Sequence, residues 1–248
     1  MGKARSAMAI FEKGDLKLSC EEYGDGFPIL VLAPGGMNST SAAWSRFPWN
    51  PLEDLAGNFR LIGMDQRNAG DSRAPIRSSD GWDVYAEDHL SLLEHLGIEQ
   101  FHILGSCIGA AYALRLMQRI PERIVSAVLQ QPIGFDGGNR DGFLNMFNNW
   151  TAKVRENQPD VPDEVWQSFR SNMFDGDFVF SVDRDFVKRC LTPMLVLMGN
   201  DGFHPASVSR EVAELAPNAD LVENWKEEES VAATVERVRE FLLTHTPG

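Results

Sequence analysis

The stretch ILGSCIG, residues 103–109, sets the thiol of Cys107 between two glycines, where an apolar run gives way to the helical stretch AAYALRLMQR. Small residues on both sides let a chain turn sharply from strand to helix without a Cβ clash, and such a turn exposes its central side chain. At a helix N-terminus the aligned peptide dipoles favour an anion, which lowers the pKa of a thiol. The thiolate is the nucleophile, and an unperturbed thiol is only a few per cent ionised near neutral pH. The competing reading is a small, inert cysteine buried in a core.

A nucleophilic thiol needs a proton acceptor, and the chain has five histidines. His102 falls inside an apolar run and reads as structural. His89 and His95 fall on one helix with no reason to face Cys107. His245 lies three residues from the end and reads as a solvated tail residue. His204, in GNDGFHP, comes just past an apolar run, at the end of a strand where ligand sites form in open parallel sheets. Its competing reading is loop packing or capping before Pro205.

The elements that must position these residues follow from the patterning. Apolar runs at 29–33, 61–64, 101–104, 124–129, 194–198 and 220–222 alternate with helical stretches over 82–96, 108–119, 205–215 and 231–243. Gly97 closes the first helix, and Pro205 sits at the first position of the third. Ahead of them AIFEKGDLKLSCEEYGDG, with turn signals at Gly14-Asp15 and Gly24-Asp25-Gly26, reads as a two-stranded hairpin. Alternation of this kind implies an α/β fold, a mostly parallel twisted sheet with helices on both faces. Residues 134–189 break the rhythm with aromatic-rich helical patches, DGFLNMFNNW and VPDEVWQSFRSNMF, and no strand-like run. The segment is too long for an ordinary loop. It reads as a helical cap inserted into a core of residues 1–133 and 190–248; the alternative is that its helices belong to the main core.

Four stretches now carry a resemblance. Pro34-Gly35-Gly36 follows the first parallel strand, MDQRNAGDS (64–72) follows the second, the 105–109 turn follows the third, and LVLMGND (195–201) ends a late strand with an acid. Over nearly its whole length the chain resembles an α/β-hydrolase, whose D-x-R-G-x-G-x-S stretch is similar to MDQRNAGDS. Cys107 stands where that family usually has Ser, as in dienelactone-hydrolase-like members. The resemblance implies a cofactor-independent hydrolase in which Cys107 attacks a carbonyl. It implies that the N–H groups of Ile108 and Gly36, with Met37 as a near alternative, hold the oxyanion; losing one such donor costs roughly 3–4 kcal/mol in other enzymes. It places the carboxylate that orients the base at Asp201. The family's His normally follows the last strand, but here ADLVENWKEEES (219–230) has none. His204 is the best substitute, although an acid only three residues from its His leaves the two open to competing for one role. Asp65 and Arg67 read as braces for the loop containing Asn68, Ala69 and Gly70.

Candidate pocket walls are Met37, Trp44, Gln131, Phe135, Phe143, Trp150 and Phe203, each equally explained as packing. Their aromatic bias suggests an apolar or aromatic small-molecule substrate.

Bulk properties narrow the field. A formal net charge of −13, with no cluster of Lys and Arg, excludes nucleic acid and anionic membrane surfaces as natural partners. No apolar run approaches the length needed to span a bilayer, and the N-terminal stretch lacks the apolar core of a secretory signal. The hexapeptide MGKARS fits the loose N-myristoylation pattern, a match frequent by chance. Three cysteines, an odd number without a signal sequence, point to a reducing, cytoplasmic setting. No two of them lie at metal-ligand spacing, so neither a metal nor a cofactor is expected. Homo-oligomerisation is left open.

Three functions compete. The first is a hydrolase acting through Cys107 on an ester, lactone or thioester, with C–C bond hydrolysis or acyl transfer as close variants. The second is a non-catalytic small-molecule-binding protein on the same fold, favoured by the missing His after the last strand. The third is a lyase or isomerase with His204 as base and Cys107 only lining the pocket.

Overall fold

The computed structural model describes residues 8–248; the MGKARS pattern lies outside the described residues. Strands β1 (Ala9–Lys13) and β2 (Leu16–Tyr23) form the expected antiparallel hairpin, turned at Gly14. The six apolar runs become β3 (Phe27–Leu32), β4 (Phe59–Met64), β5 (Phe101–Ser106), β6 (Ile124–Gln130), β7 (Met194–Leu197) and β8 (Ala219–Val222). Their order in the single sheet is β1-β2-β4-β3-β5-β6-β7-β8. β2 pairs antiparallel with β4, and every later neighbour pair is parallel.

The central strands β3, β5, β6 and β7 are largely apolar and buried because both faces are covered. Leu30 and Leu32 of β3, Ile103 of β5 and Val196 of β7 enter one core; Ile29, Val31, Leu104, Leu195 and Leu197 enter the other. The first core is roofed by α2 (Trp82–His95), α3 (Ile108–Arg119) and α7 (Ala206–Leu215), the second by the short α1 (Pro51–Asp54) and the C-terminal α8 (Glu228–His245).

Two expectations change here. Pro205 is the cap before α7 and not its first residue, because its ψ of 136° is extended. Helix α8 runs to His245, which is therefore not a tail residue: its Nδ1 pairs with the Phe241 carbonyl at 2.8 Å and its ring rests on Phe241. The acidic run 227–229 is exposed and occupies the cap and first turn of α8, where the helix dipole favours it.

Between β6 and β7 the 134–189 segment supplies α4 (Arg140–Val154), α5 (Asp163–Phe174) and α6 (Arg184–Arg189). Phe147 and Trp150 of α4 meet Trp166, Phe169 and Phe174 of α5 edge-to-face, and Phe143 stacks on Phe174. This aromatic layer is continuous with the core beneath α2 and α3: Trp82 donates to the Met173 carbonyl at 3.0 Å, and Tyr85 lies against Phe169.

Candidate active site

Cys107 sits between β5 and α3 with φ 60° and ψ −122°, a left-handed conformation that a non-glycine residue holds only under constraint, at roughly 1–3 kcal/mol. The constraint is visible. The Cys107 N–H donates to the Gln130 carbonyl at 3.0 Å, and its carbonyl accepts from Ala110. A Cβ on Gly105 would lie 2.2 Å from the Gly109 carbonyl oxygen, and one on Gly109 would lie 2.2 Å from the Leu32 carbonyl oxygen. The two flanking glycines therefore serve close backbone approach, and the half-buried thiol is held at the head of a helix.

His204 comes to Cys107 from the other side of the sheet's C-terminal edge. The loop after β7 closes as a tight turn in which Asp201 and His204 exchange backbone hydrogen bonds of 3.1 and 3.3 Å. Gly199 permits this, since a Cβ there would stand 2.5 Å from that of His204. Asp201 does not compete with His204 for one place. Its carboxylate turns back on the imidazole, with Nδ1 donating at 2.8 and 2.9 Å to the two oxygens, while Oδ1 also accepts the N–H groups of Phe203 and His204. This fixes the ring with Nε2 free of any well-aligned partner among the described residues and interacting with the Cys107 thiol. In the loop after β8, where the family's His normally stands, Trp225 is buried and donates to the Met198 carbonyl at 2.7 Å.

The electrostatics follow from this chain of contacts. Burial pushes the Cys107 thiol up, but the neighbouring His204 imidazole and the N–H groups of Gly35 and Ile108 bring it below its ordinary value. Burial lowers His204, yet Cys107 and Asp201 outweigh it and raise the imidazole to about 9. Burial lifts Asp201 and its partners more than reverse this. Both shifts run in the direction of a thiolate beside an imidazolium.

The N–H groups that act on the sulfur are those of Ile108 and of Gly35, the residue before Gly36. Gly36 and Met37 begin a 3-10 turn ending at Asn38, closed by the Asn38 N–H on the Gly35 carbonyl; Gly36 lines the cavity over Cys107 and Met37 a neighbouring cleft.

A cavity of about 300 Å³ opens over Cys107 and His204, walled by Phe143 and Phe203 as expected. The other proposed walls lie elsewhere. Trp44 is buried in the opposite core against Phe47. Gln131 is buried, its N–H spent on the Leu197 carbonyl at 2.7 Å. Phe135 packs under the Arg140 guanidinium. Met37 and Trp150 line a neighbouring cleft. In their place Ala43, Arg46, Phe47, Ile133 and Met146 complete the wall. Only Met146 had a signal, three residues after Phe143 on one helix face; the others arrive by loop geometry.

The remaining histidines are accounted for. His89 pairs with Gln66 at 2.7 Å, His102 bridges Ser126 and Thr246, and His95 rests on Phe11. Asp65 accepts the N–H groups of Ser41 and Asp71, and buried Arg67 pairs with Asp88 and Asp80, so both brace their loop. Among the described residues no group of His, Cys, Asp and Glu is placed to hold a metal ion, and no helix is long and apolar enough to cross a membrane.

Known proteins share this fold. The chain is 30% identical over 120 residues to the 2-hydroxymuconate semialdehyde hydrolase of Pseudomonas sp. strain CF600, a stretch covering 48% of the chain and 41% of that enzyme. It thus spans less than half the length of the curated relatives it matches. Among solved structures it superposes on the meta-cleavage product hydrolase of Pseudomonas fluorescens IP01 with a TM-score of 0.69 and 20% identity, over 93% of this chain and 96% of that one. It superposes equally well on the 2-hydroxy-6-oxo-6-phenylhexa-2,4-dienoate hydrolase of Rhodococcus sp. strain RHA1, with a TM-score of 0.69 and 21% identity over 95% and 99% of the two chains. Residues 28–165 match the model of the alpha/beta hydrolase fold family. The chain belongs to the α/β-hydrolase fold family.

Proposed function

We propose that this protein is a cofactor-independent hydrolase in which Cys107 attacks the carbonyl of a small apolar ester, lactone or thioester. The reading rests on one observation: Cys107, on a strained strand-to-helix turn, shares one cavity wall with His204, whose Nδ1 donates to the Asp201 carboxylate. The relatives named above support hydrolysis as the reaction class, and their C–C bond substrates keep that chemistry as a close variant. The 134–189 segment acts as the cap, supplying Phe143 and Met146 to the substrate chamber.

The thiolate of Cys107 adds to the carbonyl carbon, forming a C–S bond, and the oxyanion is held by the N–H groups of Ile108 and Gly35. As the C–O or C–S bond to the leaving group breaks, imidazolium Nε2 delivers its proton to that group. Acylation removes the thiolate charge that raised His204, so the imidazole becomes a neutral base. It takes a proton from water, hydroxide adds to the acyl carbon, and collapse expels the Cys107 thiolate and frees the acid. The ion pair is restored.

Alkylation by iodoacetamide, followed against pH with the adduct mapped, tests this. Cys107 is expected to react ahead of buried Cys20 and Cys190, with an apparent pKa below about 8.5. In His204→Ala, burial is left opposed only by backbone N–H groups, so that pKa should rise. A Cys107 no faster than the other two thiols would sink the nucleophile, and an unchanged pKa in His204→Ala would sink the base.

A further inference from the structure

Beside the chamber over Cys107 lies a second cavity of about 310 Å³, and the two differ in character. The chamber is walled by Ala43, Phe47, Ile133, Phe143 and Phe203. The cleft is lined by Lys153 and Arg73 with the amides of Asn38, Asn68 and Asn149, and no carboxylate lines it. Gly35 and Met146 are common to both linings. Since Gly35 has no side chain, Met146 is, among the described residues, the one whose side chain borders both cavities.

The local geometry explains how it gets there. Met146 lies on the same α4 face as Phe143, which faces the chamber, and Trp150, which faces the cleft. Gly36 gives it room, for a Cβ at that position would stand 2.1 Å from the Met146 sulfur. The missing side chain of Gly36 is therefore a socket for the thioether, which reaches down to the loop that carries the Gly35 donor. Methionine is unbranched and flexible, so its volume shapes a cavity without strain.

We infer that Met146 is a specificity-determining residue: its thioether is the partition that confines the apolar part of the substrate to the chamber over Cys107 and closes the route to the cationic cleft. The inference rests on the nucleophilic reading of Cys107. A chamber of about 300 Å³ is at the small end for a ligand site, so the partition sets an upper limit on the length of the group carried by the reacting carbon. Shortening Met146 joins chamber and cleft; enlarging it shrinks the chamber.

The test uses N-alkyl iodoacetamides of increasing length against intact protein, reading the rate of Cys107 alkylation by mass spectrometry, which needs a thiolate but no turnover. In the parent protein the rate should fall at least about tenfold from the N-methyl to the N-decyl reagent, as expected for a closed apolar site. Met146→Ala should abolish most of that fall, and Met146→Phe should bring it forward to the N-hexyl reagent. Each variant is read as its own ratio of N-decyl to N-methyl rate, so a change common to both reagents cancels. An N-decyl to N-methyl ratio that stays at the parent value in Met146→Ala overturns the partition and leaves the nucleophile standing. Failure of Cys107 to react even with the N-methyl reagent in the parent protein overturns both readings together.

Discussion

Three side chains, Cys107, His204 and Asp201, concentrate the chemistry, and each answers to a different force. Cys107 is held by backbone geometry, His204 by a carboxylate, and Asp201 by two N–H groups of its own turn. Replacing Asp201 by Asn removes the charge that raises His204 and disturbs the tautomer that presents Nε2 to the thiol. The expected outcome is a lower imidazole pKa by NMR titration and a loss of about 10²-fold in esterase rate, the low end for general acid–base partners because a thiol ionises without strong help. These three residues were legible in the sequence because each sits at a marked place: a glycine-flanked turn, a strand end, a loop before proline. Gly35 was not, because the choice between Gly35 and Gly36 depends on which N–H turns toward the sulfur. Nor was Arg46, exposed at the chamber wall, because nothing periodic connects the 41–46 turn to Cys107.

The site depends on how closely the elements behind it approach. The elbow exists because α3 and β3 come within contact of bare backbone at Gly109. Gly109→Ala would set a methyl 2.2 Å from the Leu32 carbonyl oxygen, and it should cost at least the ~1–3 kcal/mol of an overpacked core, read as a lower melting temperature together with slower Cys107 alkylation. The loop after β4 is held instead by charge. Arg67 reaches Asp88 at 2.6 Å and Asp80 at 3.1 Å from a fully enclosed position, so Arg67→Ala leaves two carboxylates unpaired. A loss of about 3–5 kcal/mol in chemical denaturation is expected, as for other broken buried pairs. Strand positions were readable because both cores draw on unbroken apolar runs. The helices of the 134–189 segment were readable only as helices: their interlocked aromatic rings could be counted in the sequence but not assigned to a face. That is why Phe143 proved a chamber wall while Phe135, eight residues earlier, lies under Arg140.

At the scale of the whole molecule, protonation ties stability to pH. Burial holds His89 and His102 at about 3, well under the 6.5 of an exposed imidazole. Between those values the unfolded chain binds protons that the native state refuses, so stability should decline as pH falls below about 6.5. His204 acts in the opposite sense. Raised to about 9, it contributes fully below 6.5 and loses that contribution as pH rises through 9. Cys107, lowered by the same pairing, has given up the proton that His204 keeps, so the two offset each other above 6.5; melting temperature should fall mainly on the acid side, a limb that His204→Ala leaves in place. The placement of base and acid on a single turn has a consequence for how the chain can be divided. Every group that the proposed mechanism uses to exchange a proton or to hold the oxyanion lies between Gly35 and His204; β8 and α8 carry none of them, and Trp225 donates to the Met198 carbonyl. A chain severed between α7 and β8 would keep its entire chemical apparatus in the larger fragment. Adding the smaller fragment back should restore Cys107 reactivity without contributing a single reacting atom.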